Sequence, residues 1–303
     1  MITCVNCYGK AFSDTGYSID ESKIIKCDSC SLVRLSLFSS EYDDSLYSYY
    51  ESYASYIKSD EWKERSRLNA SNLIIFLKDI SKNYIINDLN PKVSLLDFGC
   101  GLGSTLSAGE KLGWDVMGIE MSRFCIDYCN ESGFNVLSDL SKIPLDQKFD
   151  IITLFDVIEH VPNPLDIFNA LRARLNTNGV LIITCPNWNS LERYLFGSRW
   201  KAIDPQHYHY FTSQTIKRIL IKSNFSILKL ITKNFNPFQY RTSSISNDDK
   251  LVFPKTSSKK SRSNKLIFLR NLSSFGIGLF IKKILNLLLR IFSIGSTMVI
   301  VCK

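Results

Sequence analysis

A chain of 303 residues with 45% apolar content is long enough for one large α/β domain and a small appendage, and too apolar to stay disordered. Its first ten residues carry no apolar run behind a basic stretch, and no window reaches about 18 uninterrupted apolar residues, so a secretory signal and an ordinary transmembrane helix are not expected and the cytoplasm is the expected address. The net charge of +8 is unevenly spread: residues 201–303 hold 18 Lys and Arg against 3 Asp and Glu, and residues 1–200 hold 19 against 26. Such asymmetry suits either a tail that meets phosphates or a basic face kept for solubility.

In chain order, the first feature is a pair of cysteine turns, Cys4-x-x-Cys7 and Cys27-x-x-Cys30, separated by 19 residues. Each turn presents two thiolates on one side, and two turns complete a tetrahedral S₄ shell for a structural Zn²⁺. Four unrelated buried thiols are the alternative. A segment of about 35 residues has too little apolar surface to fold by itself, so metal binding is expected to stabilise a zinc-ribbon-like module over residues 1–35. Residues 36–90 read as a helical connector: a tyrosine-rich stretch from Tyr42 to Tyr56, then a helix from about Asp60 to Lys82.

Lys92 to Ser104 reads K-V-S-L-L-D-F-G-C-G-L-G-S, a short apolar run ending in an acid and followed by Gly99, Gly101 and Gly103. The pattern predicts a strand, a glycine turn and a helix N-terminus, where the backbone can approach a nucleotide-like ligand closely. Trp114 to Ile119 predicts a second strand ending in Glu120, about where a Rossmann-type unit places its ribose-binding acid. The loop itself distinguishes two cofactors. Dinucleotide sites favour G-x-G-x-x-G, whereas this turn is G-x-G-x-G behind Asp97. A carboxylate there repels a pyrophosphate and attracts an ammonium, which favours S-adenosylmethionine over a nicotinamide dinucleotide.

With these residues in view, L-L-D-F-G-C-G-L-G resembles the first motif of the class I S-adenosylmethionine-dependent methyltransferases. Phe149 to Pro164 (F-D-I-I-T-L-F-D-V-I-E-H-V-P-N-P) resembles that family's fourth-strand segment, and Leu175 to Asn187 its turn and fifth strand. Trp200 to Thr212 (W-K-A-I-D-P-Q-H-Y-H-Y-F-T) is similar to a block of the subset that also carries an N-terminal C-x-x-C pair. The resemblance spans roughly residues 1–230 and implies a doubly wound, Rossmann-like, seven-stranded sheet over residues 91–303. It also implies roles. Asp97, Gly99, Gly101 and Gly103 would hold the methionine part, Glu120 the ribose hydroxyls, Met121 the adenine face, and Asp139 with Leu140 the adenine edge. Phe155 and Asp156 would border the transferred methyl group.

Three histidines, His160, His207 and His209, fall in segments expected near the carboxyl ends of the strands, so each is a candidate general base. Each has a structural alternative, as a loop-orienting or hydrogen-bonding residue. No metal-ligand set beyond the four cysteines is evident. Phe225 to Thr232 and Ser296 to Cys302 are expected as the last two strands, the final one antiparallel by resemblance. A basic amphipathic insertion at about 235–294 lies between them, with Lys282, Lys283, Asn286 and Arg290 at helical spacing. It is expected to touch a membrane surface, cap a substrate cleft or form a dimer contact. The methyl acceptor is expected to be a small molecule or a sugar or glycan precursor, by analogy with the zinc-bearing subset. RNA or protein methylation, with the cysteine module and the basic tail as a clamp, is the alternative, and a non-catalytic cofactor-binding scaffold is the third reading.

Overall fold

The computed structural model describes residues 2–37, 57, 60–85, 92–234 and 287–303. The tyrosine-rich stretch and residues 235–286 of the basic insertion, Lys282, Lys283 and Asn286 among them, lie outside the described residues. The chain begins with three short strands, β1 (Phe12–Ile19), β2 (Ser22–Cys27) and β3 (Val33–Leu35), and then a long helix, α1 (Asp60–Tyr84). From there strands and helices alternate: β4 (Ser94–Phe98), α2 (Ser104–Lys111), β5 (Asp115–Ile119), α3 (Arg123–Glu131), β6 (Asn135–Leu137), β7 (Phe149–Phe155), α4 (Pro164–Arg172) and β8 (Leu175–Pro186). A short helix α5 (Leu191–Phe196), a two-residue strand β9 (His209–Tyr210), α6 (Ser213–Lys222), β10 (Ile227–Lys233) and β11 (Thr297–Cys302) complete the order.

Seven strands form one sheet in the order β10-β11-β8-β7-β4-β5-β6. The five from β4 to β8 are parallel, and β11 runs antiparallel between β8 and β10. Parallel strands covered on both faces read as continuous apolar runs, and Phe149–Phe155 is buried at every position except the last. Leu77 and Ile80 of α1 and Leu106 of α2 pack on one face, over Leu95, Ile151 and Ile182. Phe168 of α4 and Ile216 of α6 pack on the other, over Leu96, Ile152 and Ile183. The chain leaves β4 toward β5 and β6, then returns to β7 on the opposite side of β4. That reversal opens a crevice at the carboxyl ends of β4 and β7. The doubly wound seven-stranded fold is therefore the one expected.

A second, antiparallel sheet was not expected from the sequence. Its order is β1-β2-β3-β9, so the N-terminal hairpin is completed by a strand that follows β8. Val33 pairs with Tyr210 and Arg34 with His209. The union extends beyond backbone pairing. Cys4, Cys27, Cys30 and Leu32 belong to the same buried cluster as Phe211 and Ile216. Arg218 of α6 donates to the carbonyl of Cys30 at 2.7 Å, and Lys222 lies over the ring of Tyr8 at 4.7 Å.

Candidate functional site

The crevice has two halves. In the first, β4 ends in Asp97 and Phe98, and the chain then turns through Gly99 and Cys100, whose N–H groups both donate to the carbonyl of Ile119 on β5 (2.7 and 3.0 Å). Gly99 has φ +78°, and a Cβ there would stand 2.4 Å from Cγ2 of Val157, so backbone conformation and space both require glycine. Gly101 (φ +50°) continues the turn, and Gly103 (φ +74°) caps the N-terminus of α2. Cys100 packs directly beneath the neighbouring strand, where its Sγ would meet a Cβ on Gly118 at 2.6 Å.

Two acids frame this turn. Asp97 is 3% exposed and accepts a 2.6 Å hydrogen bond from the Thr153 hydroxyl of β7. Burial pushes its carboxyl up to about 6; Thr153 and Thr105 oppose the shift and Glu120 adds to it. Glu120, at the end of β5, is locked by three backbone donors: Gly101 N to Oε2 at 2.8 Å, and Met121 N and Ser122 N to Oε1 at 2.8 and 2.9 Å. A carboxylate has about four acceptor sites, so this one is oriented by the turn and retains capacity on its open side. Met121 follows it and is 46% exposed. Asp139 caps the short 3₁₀ turn after β6 by accepting from Ser141 N at 2.7 Å, and the Ser141 hydroxyl, followed by that backbone N–H, holds its carboxyl below the usual range. Leu140 leans into the core beside it.

The second half begins where β7 ends. Phe155 packs its half-buried ring on Phe76 of α1 at 6.2 Å. Asp156 adopts φ +56°, an uncommon backbone conformation for a residue other than glycine, and it accepts a 3.0 Å hydrogen bond from the Thr184 hydroxyl on β8. Burial raises its carboxyl, opposed by Thr184, His160 and Lys233. Beyond Asp156 lies an open cavity of about 320 Å³ whose polar lining includes Asp156, Glu159, His160, Lys201 and His207.

Two of the three histidines meet in this cavity, with rings 4.6 Å apart and nearly perpendicular. Nδ1 of His160 donates to the carbonyl of Gln206 at 3.0 Å, and Nδ1 of His207 to the carbonyl of Ala202 at 2.9 Å. A carbonyl only accepts, so both rings carry their proton on Nδ1 when neutral and leave Nε2 with a lone pair. Burial lowers the pKa of both, His207 to about 4 with a further contribution from His160. Glu159 joins them: it is 1% exposed, and its Oε2 has no hydrogen-bond partner among the described residues.

His209 is different, and its expected role as a base needs correction. It is 1% exposed within β9, its Nε2 meets the carbonyl of Pro162 at 3.1 Å, and burial takes its pKa down to about 4. It ties the β9 strand to the loop after His160 and does not line the cavity. Sequence reasoning missed Glu159, which reads as an ordinary loop acid, and Lys233 of β10, whose charge faces Asp156. Only the folded sheet brings these positions together.

The four cysteines of the N-terminal turns converge. Cys4 Sγ lies 3.4 Å from Cys30 Sγ and Cys7 Sγ lies 3.5 Å from Cys27 Sγ, and all four sulfurs fall within 4.8 Å of one another. The turns are built alike. In each, the residue after the second cysteine has positive φ (Tyr8 +60°, Ser31 +63°) and donates its N–H to the carbonyl of the first cysteine at 2.8 Å. Four inward-facing thiols at this spacing suit tetrahedral zinc.

Comparison with known proteins places the chain. The family described as "Methyltransferase domain" matches residues 62–230, more than half of its length. Among curated relatives, a ubiquinone biosynthesis O-methyltransferase of Actinobacillus pleuropneumoniae is 33% identical over 33% of this chain and 48% of its own. The mitochondrial ubiquinone biosynthesis O-methyltransferase of Saccharomyces cerevisiae is 30% identical over 50% of this chain and 55% of its own. The chain thus spans about half the length of these two relatives. A SAM-dependent methyltransferase from Archaeoglobus fulgidus, of solved structure, shares 20% identity over 80% of this chain and 97% of its own, with a TM-score of 0.49. By the family match over residues 62–230, on the sheet order and glycine turn described above, this chain belongs to the methyltransferase-domain family.

Proposed function

We propose that the protein transfers a methyl group from S-adenosylmethionine to a hydroxyl of a small molecule, with a sugar or glycan precursor as the acceptor class. The observation that carries this reading is the continuity of the two half-sites: the glycine turn between Asp97 and Glu120 opens at the same strand ends as the polar cavity bordered by Asp156. In this reading Asp97, Gly99, Gly101 and Gly103 hold the methionine part, and Asp97 faces its ammonium. Glu120 takes the ribose hydroxyls, Met121 and Leu140 border the adenine, and Phe155 and Asp156 stand beside the methyl group. Asp139 contributes through the 3₁₀ turn that it caps. Methyl transfer from a sulfonium is an in-line displacement, so the protein acts chiefly by holding the acceptor oxygen at near-attack distance and limiting water. A cavity of about 320 Å³ suits one sugar or one substituted ring, and its carboxylates and imidazoles suit a polyhydroxylated acceptor. The curated relatives are named as O-methyltransferases, which supports oxygen as the atom methylated.

Cys4, Cys7, Cys27 and Cys30 are proposed to hold a structural Zn²⁺, because four converging sulfurs leave no ligand position for a reacting molecule. Calorimetry with S-adenosylmethionine and S-adenosylhomocysteine tests the central claim. Saturable binding of both, lost in Gly101→Arg, is the expected result. Tight NAD binding with no response to S-adenosylhomocysteine would overturn it.

A further inference from the structure

The cavity holds a group of side chains that methyl transfer from a sulfonium does not itself require. Glu159, His160 and His207 each offer a ligand atom, and these atoms lie within 4.8 Å of one another. Each histidine is fixed by an Nδ1–H···O=C bond to a loop carbonyl, Gln206 for His160 and Ala202 for His207. That is the arrangement by which metal-binding imidazoles are oriented, and it leaves Nε2 of both rings as the free donor. The third member supplies the stronger argument. Glu159 is 99% buried, and its Oε2 meets no donor or acceptor among the described residues. Neither protonation state removes the problem, since a buried O–H without an acceptor is as unsatisfied as a buried O⁻ without a donor. A cation held by the Glu159 carboxylate and the free nitrogens of the two rings would supply the partner that Oε2 lacks.

We propose that Glu159, His160 and His207 bind a divalent first-row transition cation in the wall of the acceptor cavity, and that this ion coordinates the acceptor's oxygen atoms. Two imidazoles and one carboxylate form a borderline donor set, distinct from the four thiolates at the N-terminus, and an open cavity leaves coordination positions for ligands from solution. The second half of the proposal rests on the hydroxyl-acceptor reading above. Coordination would lower the pKa of an acceptor hydroxyl, whose proton would leave to bulk solvent through the open side of the cavity. The resulting oxygen attacks the sulfonium methyl carbon, an O–C bond forms as the S–C bond breaks, and the S–C electron pair remains on sulfur as the neutral thioether. Asp156, at the end of β7, lies on the same cavity wall and is placed to orient the bound oxygen.

The test uses the full-length protein carrying whatever zinc it retains through purification. Mn²⁺ is titrated in and the free ion is followed by electron paramagnetic resonance, because Mn²⁺ competes poorly for thiolates. About one Mn²⁺ per chain should bind in the wild type. Glu159→Gln preserves shape while removing the anionic ligand, and His207→Gln removes a ring nitrogen; each should weaken Mn²⁺ binding at least tenfold while leaving S-adenosylhomocysteine affinity unchanged. 4-Nitrocatechol, a probe with two adjacent oxygens, should show a metal-dependent absorbance shift with the wild type and none with Glu159→Gln. Wild-type protein that binds S-adenosylhomocysteine but no Mn²⁺, or binding that survives Glu159→Gln, overturns the site. Bound Mn²⁺ without a nitrocatechol shift overturns the coordination of acceptor oxygens alone. Bound Mn²⁺ without cofactor affinity leaves the metal site standing and overturns the methyltransferase reading instead.

Discussion

Asp97 combines almost complete burial with a short hydrogen bond from Thr153, and its carboxyl is raised to about 6 from an ordinary value of 3.8. An acid whose folded pKa is raised favours the folded state while protonated. Its contribution is therefore fully present below about pH 4 and is lost as pH rises through about 6, with a swing on the order of 3 kcal/mol. The proposed cofactor reverses the preference, because its ammonium stabilises the carboxylate. S-Adenosylmethionine affinity should accordingly fall as pH drops below about 6, and Asp97→Asn should weaken binding at pH 8 while flattening this dependence; calorimetry between pH 5 and 8 measures both. Glu120 gives a contrasting case. It satisfies three backbone N–H groups, so Glu120→Ala should lose cofactor affinity and also cost about 1–3 kcal/mol of stability, read from urea denaturation of the cofactor-free protein. A variant with unchanged stability and unchanged affinity would remove Glu120 from the site altogether.

At the scale of elements, the loop from Glu159 to Pro162 is the joint between the cysteine module and the cavity. His209 of β9 bonds to Pro162, and Arg34 of β3 pairs with His209 across the small sheet. A Cys27→Ser/Cys30→Ser variant should lose the proposed zinc and bind Mn²⁺ in the cavity more weakly, while the glycine turn, built on β4 and β5, keeps its affinity for S-adenosylhomocysteine. Metal analysis and the two titrations separate these outcomes, and unchanged zinc content would remove the ligand assignment. The same elements show what a sequence can disclose. Buried parallel strands are written as apolar runs, and a turn at positive φ is written as glycine, so β4, β5 and the turn after β4 were legible in place, while β7 and β8 were legible through the family resemblance. β9 has only two residues and no periodicity, and its pairing with β3 arises from tertiary contact alone. His160 was legible as a residue near a strand end, whereas Glu159 was not singled out. Their convergence with His207 depends on a loop that the sequence does not describe.

Over the whole molecule, charge and apolar exposure meet near the chain's C-terminal region. Residues 287–291 are helical, with Leu289 buried and Leu287, Ile291 and Phe292 exposed at 55%, 64% and 65%. Leu195 of α5 is 58% exposed, and the start of α5 is tied to this segment by a hydrogen bond from Leu191 N to the carbonyl of Ile294. Among the described residues, no helix is long and apolar enough to cross a membrane. If this region docks on an anionic bilayer, each Lys or Arg near the surface contributes about 1 kcal/mol. Reversing Lys282, Lys283 and Arg290 together should then lower sedimentation with anionic vesicles by on the order of 100-fold or more. Sedimentation that does not respond to the triple change would favour a lid or a dimer contact.

The pairing of β3 with β9 also fixes an order in time. Val33 waits for Tyr210, made some 175 residues later, which at ribosomal speed is a delay of ~10 to 35 s. During that interval β3 is an open strand edge, free to pair with another nascent chain. All four cysteines, however, lie within the first 30 residues, so the proposed zinc could be captured while the partner strand has yet to be synthesised. Zinc starvation during synthesis would then act as an aggregation hazard on the ribosome, whereas chelation of the finished protein would meet a sheet already closed.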